Sequence, residues 1–313
     1  MGHSVLWLAQ VAVTLLVVLL AALPGAAPWM QGVLLGLVLL VGIPHGAADL
    51  ALWQHLTMGA VDPARPSFAA LRAYLVAVAC SAGLFLGVPA LSALVFLVGS
   101  AWHFGEGEFW PEGPPGPRAS ARRRAVVAAA GMLMWGACVP GLLILWHPHD
   151  AAGLFAELGW AGALPVARLV GVRLGGWIFA CGVVAVCAAL LVGVAGARSR
   201  AQTWRTMATT GLLVWAFGQL DLVSAFALYF VVWHAAPSVL HQARALDPVS
   251  GLGTWLRAAG PWAVLAVVGV LGLAAAGPRL PVSFPGLLLG AALILTPPHL
   301  VVMSLLALRV RRG

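Results

Sequence analysis

The chain has 313 residues, 62% of them hydrophobic and 8% charged, and its mean hydropathy is +1.00. Soluble domains carry about a quarter of their residues charged, so a water-soluble globular enzyme is excluded. Its cations are 17 arginines and no lysine against 9 acidic residues, a net charge of +8; in so apolar a chain that excess speaks to membrane orientation, and no nucleic-acid partner is expected.

A bilayer core about 30 Å thick needs roughly 20 apolar residues of helix. In chain order, runs of that kind fall near 5–24, 30–53, 68–87, 89–109, 125–146, 174–196, 204–219, 222–244, 255–277 and 285–308, the seventh being short. The first has no Lys or Arg before it and a longer apolar core than a secretory signal, so it is read as a membrane helix. The sequence therefore predicts an all-α, polytopic integral membrane bundle of about ten transmembrane helices, a single domain over 1–313. The longest loops, 110–124 and 147–164, are too short for a soluble domain. The glycines are dispersed through helices rather than gathered in a nucleotide-binding loop, and Cys80, Cys138, Cys181 and Cys187 lack metal-site or disulfide spacing.

Arginine placement orients the helices, because positive charge collects in cytoplasmic loops. With ten spans, both termini and the loops after even-numbered helices share one side. That side takes Arg65, Arg72, Arg118, Arg122, Arg123, Arg124, Arg198, Arg200, Arg205, Arg244, Arg257, Arg309, Arg311 and Arg312; only Arg168, Arg173 and Arg279 fall opposite. The expectation is a cell (inner) membrane protein with both termini in the cytoplasm, in contact with membrane lipid.

Five of the nine histidines fall within these spans: His45, His103, His234, His241 and His299. Ionisable groups at membrane depth are costly and face a bundle interior or a cavity. A single one is commonly a hydrogen-bonded packing residue, but five together point to a site. Spans two, four, eight and ten run in the same direction, and His45, His103, His234 and His299 lie 12 to 15 residues from their starts. At about 1.5 Å per residue this is one layer, ~18 to 22 Å in from the outer surface. His241 lies about 10 Å nearer the cytoplasm than His234. The two share a helical face two turns apart, and Pro237 between them favours a kink that brings them closer.

Imidazole donors suit a transition metal such as Fe, Cu, Zn or Ni. A metal-bound histidine also needs its second ring nitrogen held by an acceptor. Asp49, one turn beyond His45, and Glu106 and Glu108, just after His103, are the candidates; Asp221, opening the eighth span, is another. His3, His55, His147 and His149 lie in loops or at helix ends, where water satisfies them, and take no role. Among the aromatic residues, Trp102, Trp233 and Tyr229 stand close to histidines and could line a pocket for a flat apolar substrate, although belt or core packing explains most tryptophans equally well.

With these motifs assembled, the sequence resembles the Brp/Blh family of membrane β-carotene 15,15'-dioxygenases. The likeness rests on GIPHGAADL (Gly42 to Leu50), WHFGEGE (Trp102 to Glu108), YFVVWH (Tyr229 to His234) and TPPHLVVM (Thr296 to Met303). It implies a non-haem Fe(II) site held by His45, His103 and His234, with carotenoid and O2 as substrates, retinal as product and a functional link to a retinal-binding rhodopsin. Family members carry a further ligand histidine one turn after the third, where this chain has Ser238. Depth favours His299 as the fourth ligand, local motif similarity favours His241, and a three-ligand site is the remaining option. No catalytic residue is expected beyond the metal site.

The chemistry agrees with the composition, since a carotenoid partitions into the bilayer and O2 is more soluble there than in water. Two other classes compete. Membrane di-iron desaturases and hydroxylases resemble clusters of HxxxH and HxxHH, and this chain has no histidine pair at i, i+4. A transporter or haem-binding protein is a non-enzyme alternative; haem would show as a Soret band on purification.

Overall fold

The computed structural model describes residues 3–58, 67–109, 121–159, 174–194, 199–276 and 282–312. Every regular element among them is a helix. This follows from the solvent, because a backbone in hydrocarbon has only itself for hydrogen bonding and a helix satisfies it locally. The order is α1 (His3–Ala21), α2 (Ala27–Leu37), a π-helical turn (Val38–Gly42), α3 (Ile43–Ala47), α4 (Asp49–Met58), α5 (Phe68–Gly87), α6 (Pro89–Glu108), α7 (Ala121–Trp146) and α8 (Pro148–Glu157). It continues with α9 (Leu174–Val194), α10 (Arg200–Gln219), α11 (Leu222–Leu228), a second π-helical turn (Tyr229–Ala235), α12 (Ala236–Leu246), α13 (Gly251–Ala276) and α14 (Phe284–Arg312).

Among the described residues a helix occupies each of the ten predicted spans, but length and composition mark only seven as able to cross a membrane. The other three are α6, which ends in Glu106 and Glu108, α9, whose apolar stretch Ala180–Gly193 is shorter, and α10, which is rich in Arg, Thr and Gln. The all-α polytopic bundle stands; a count of ten is not fixed by these criteria. The segment after 147, expected as loop, begins with the short helix α8. Of the orienting arginines, Arg65, Arg118, Arg168, Arg173, Arg198 and Arg279 lie outside the described residues.

The surface has the pattern of a protein dissolved in lipid. Leu40, Phe68 and Leu86 are more than two-thirds exposed, whereas Thr14, Gln54, Thr206 and Gln242 are almost wholly buried. Polar caps set several helix starts. Ser199 and Gln202 form a reciprocal cap on α10, and Asp221 accepts the N–H groups of Val223 and Ser224 to open α11. Outside the spans, Asp247 accepts the N–H groups of Ser250 and Val249, which hold its carboxyl below the usual range.

Two clusters of buried apolar side chains make up most of the core. The larger joins α1, α2, α6, α7, α9, α10 and α11, with Leu34, Phe104, Trp135, Phe217 and Val231 among its members. The second joins α3, α4, α12, α13 and α14 around Leu52, Trp255, Val302 and Leu306. Phe104, next to His103, and Val231, one turn before His234, belong to the first; Ala48 and Val302, one turn after His45 and His299, belong to the second. The histidines therefore stand at the seam between the two.

Helices α6 and α7 approach backbone to backbone. A side-chain carbon at Gly105 would run into the carbonyl of Met132, and one at Gly136 into the carbonyl of Ala101. Glycine is required at both places, the close-packing device expected between membrane helices. It fixes the helix that carries His103.

Candidate metal centre

His45, His103, His234 and His299 come from α3, α6, the second π-helical turn and α14, and their donor nitrogens all lie within 4.8 Å of one another. Each is only 4–7% exposed. Ring centroids stand 4.6 Å apart for His103 and His234, 4.8 Å for His45 and His299, 4.9 Å for His103 and His299 and 5.2 Å for His45 and His234, all close to edge-on. The rings thus converge on a point rather than stacking.

Local backbone irregularity produces this convergence. Both π-helical turns lie just ahead of a proline, Val38–Gly42 before Pro44 and Tyr229–Ala235 before Pro237. Proline lacks the N–H that would continue the ladder and its ring crowds the preceding turn, so the helix takes in an extra residue there. The first irregular turn re-aims His45, which follows it, and the second re-aims His234, which lies within it.

The ring orientations are set by hydrogen bonds. Nδ1 of His45 donates to the carbonyl oxygen of Gly42, and Nδ1 of His299 donates to Oδ1 of Asp49 at 2.7 Å. Both residues therefore turn Nε2, with its lone pair, into the cluster. Nε2 of His299 lies 3.2 Å from Nε2 of His103. Two imidazole nitrogens bound to one ion at about 2.0–2.1 Å in a tetrahedral arrangement stand about 3.3 Å apart. One shared proton could join that pair, and the four clustered nitrogens, all within 4.8 Å of one another, could equally hold a metal ion. The donor set fits a transition metal, and Phe230 flanks it, edge-on to His45 at 5.3 Å and stacked on His234 at 5.5 Å.

The acceptor expected of Asp49 is real but belongs to a different histidine. α3 ends at Ala47 and α4 begins at Asp49, so the helical register that would set Asp49 over His45 is interrupted. Asp49 reaches α14 instead, and its other oxygen accepts the hydroxyl of Tyr74 at 3.3 Å. Glu106 accepts from Ser304 at 3.4 Å, and Glu108 accepts from Thr206 at 2.5 Å. His241 is outside the group of four. It lines a small cavity that also touches His103, His234, Glu106 and Ser238. Tyr229 and Trp233 line the same cavity, whereas Trp102 is half-buried on α6 and does not. His147, expected to be satisfied by water, donates through Nε2 to the carbonyl of Phe217 at 2.9 Å.

Four side chains and the two π-helical turns were missed by sequence reasoning. Tyr74, Gln10 and Thr14 carry no motif, Phe230 lies within YFVVWH but takes no role there, and the irregular turns are signalled only by the prolines that follow them.

The family model described as beta-carotene 15,15'-dioxygenase matches residues 36–307. The chain belongs to that family. The matched region contains all four clustered histidines and both π-helical turns. No curated protein and no solved structure matches the chain. Membership of the β-carotene dioxygenase family and a buried four-histidine cluster able to hold a metal thus meet in one place.

Proposed function

We propose that this protein is a membrane non-haem iron dioxygenase that cleaves the central double bond of a carotenoid, β-carotene in the first instance, with O2 to give retinal. The observation that carries the reading is the convergence of His45, His103, His234 and His299 within the apolar interior of a chain from this family. On this reading the four are the metal ligands, and His241 is a cavity residue. Asp49 fixes the tautomer of His299, and Gly42 does the same for His45 through its carbonyl.

Breaking one C=C bond and forming two C=O bonds uses both atoms of one O2, so the reaction balances without a nicotinamide, a flavin or another reductant. His45, His103, His234 and His299 would hold the iron(II), which would supply the unpaired electrons that triplet O2 needs to react with a closed-shell polyene. The protein's own share is placement. Phe104, Tyr229 and Trp233 give the cavity beside His234 apolar and aromatic walls suited to a flat conjugated chain, and Phe230, stacked on His234, backs that ring. Burial keeps bulk water from the aldehyde-forming centre. We further propose ten transmembrane helices with both termini cytoplasmic, as arginine placement favours.

The test is expression in cells that accumulate β-carotene. Retinal appearing as the carotenoid colour fades is the expected result. Protein present in the membrane with neither change would defeat the reading.

A further inference from the structure

Helix α1 precedes the family-matched region, yet it reaches the site. Gln10 and Thr14, one turn apart, are buried polar residues in a largely apolar helix. Nε2 of Gln10 donates to the carbonyl oxygen of Val232 at 2.8 Å, and Oγ1 of Thr14 accepts from Nε1 of Trp233 at 3.0 Å. The Thr14 hydroxyl in turn donates to the carbonyl of Gln10 at 2.8 Å. The two residues immediately before His234 are therefore both held by α1.

The need for this contact lies in the π-helical register. There, each N–H bonds the carbonyl five residues back, and Ala236 does so to Val231. The next donor in that register, for the carbonyl of Val232, is residue 237, a proline with no N–H. An unpaired carbonyl inside the membrane is costly. We infer that Gln10 is a positioning residue for the metal centre: it supplies the hydrogen that Pro237 lacks and so holds the turn in the register that points His234 into the cluster. The inference rests on the metal reading above. Without that donor the turn gains by expelling its extra residue, and in a helix of about 3.6 residues per turn this rotates His234 by about 100° relative to the segment on the other side.

The test uses full-length protein in lipid nanodiscs titrated with Co2+, whose visible d–d bands report the number and arrangement of nitrogen donors. Gln10→Leu, Pro237→Ala and the double variant are compared, with Thr14→Val as a variant that leaves the Val232 contact in place. Gln10→Leu is expected to weaken cobalt binding by about tenfold or more and to alter the bands. In the Pro237→Ala background, where residue 237 regains an N–H, the same substitution is expected to cost less than about threefold, a non-additivity that a mere packing role would not give. Unchanged affinity and bands in Gln10→Leu, or additive effects, would overturn the inference. If Gln10→Leu does not accumulate, Gln10→Met replaces it; restored accumulation on adding Pro237→Ala then supports the inference and its absence overturns it. A lack of cobalt bands in the unaltered protein would instead strike down the metal reading itself.

Discussion

Asp49 and His299, 250 positions apart in the chain, are joined by a 2.7 Å hydrogen bond from the imidazole Nδ1 to the carboxylate Oδ1. Asp49 is 1% exposed, and its second oxygen is occupied by Tyr74. A buried carboxylate of this kind fixes the tautomer and orientation of the histidine it holds and brings negative charge to balance a cation. Asp49→Ala leaves the Nδ1–H of His299 without that acceptor and removes the charge. Metal affinity is expected to fall by about 10- to 100-fold, measured by equilibrium dialysis against Co2+ or Zn2+. Asp49→Asn keeps an acceptor oxygen and should fall in between. Unchanged affinity in the alanine variant would show that the pair serves packing alone.

The four clustered histidines and His241 are separated by single alanine substitutions. Replacing His45, His103, His234 or His299 is expected to abolish retinal formation and bound metal together, because each contributes a nitrogen to the same group within 4.8 Å. His241→Ala is expected to keep metal at one equivalent and to retain activity, since it lines the adjoining cavity instead. Assay in carotene-accumulating cells, with metal analysis of the purified proteins, decides this. An active His299→Ala beside an inactive His241→Ala would reverse the assignment of ligands.

The helices and the four-histidine layer were legible in the sequence for physical reasons. Lipid leaves the backbone few options, so apolar length alone located the ten helical segments. A shared distance of 12 to 15 residues from the span starts singled out His45, His103, His234 and His299, whose donor nitrogens the structure brings within 4.8 Å of one another. The partner of Asp49 was not legible, because it depends on the break at Ala48 and on how α14 lies against α4. The roles of Gln10 and Thr14 were hidden for a similar reason. They answer a backbone vacancy on a different helix, which only the π-helical turn reveals. The number of membrane crossings also exceeds what composition fixes, since α6 and α10 trade apolar residues for the polar groups beside the site.

The approach of α6 and α7 yields a stability prediction. Gly105 faces the Met132 carbonyl and Gly136 faces that of Ala101, so an added methyl at either meets backbone that has no rotamer to yield. Overpacking of this kind costs about 1–3 kcal/mol or more. Gly136→Ala and Gly105→Ala are expected to lower the thermal midpoint in detergent by several degrees and to reduce accumulation in the membrane. Gly211→Ala, where a methyl would enter open space, should do neither. Equal midpoints for all three would mean that α6 and α7 stand further apart than described.

If the four histidines hold an ion as proposed, removing it should loosen the seam between the two apolar clusters. The ligands come from α3, α6, the second π-helical turn and α14, and the residues beside them belong to separate apolar clusters, so an ion at their centre ties the two together. A ligand present at a thousandfold excess over its dissociation constant stabilises the folded state by about 4 kcal/mol. Treatment with a strong chelator is therefore expected to lower the thermal midpoint by about 5–10 °C, and Fe2+ or Zn2+ should restore it. A variant with all four histidines replaced by alanine supplies the control, since its midpoint should not respond to chelator. If the unaltered protein and this variant respond alike, the stabilising ion is bound elsewhere; if neither responds, the four imidazoles hold together by hydrogen bonds and hold no ion.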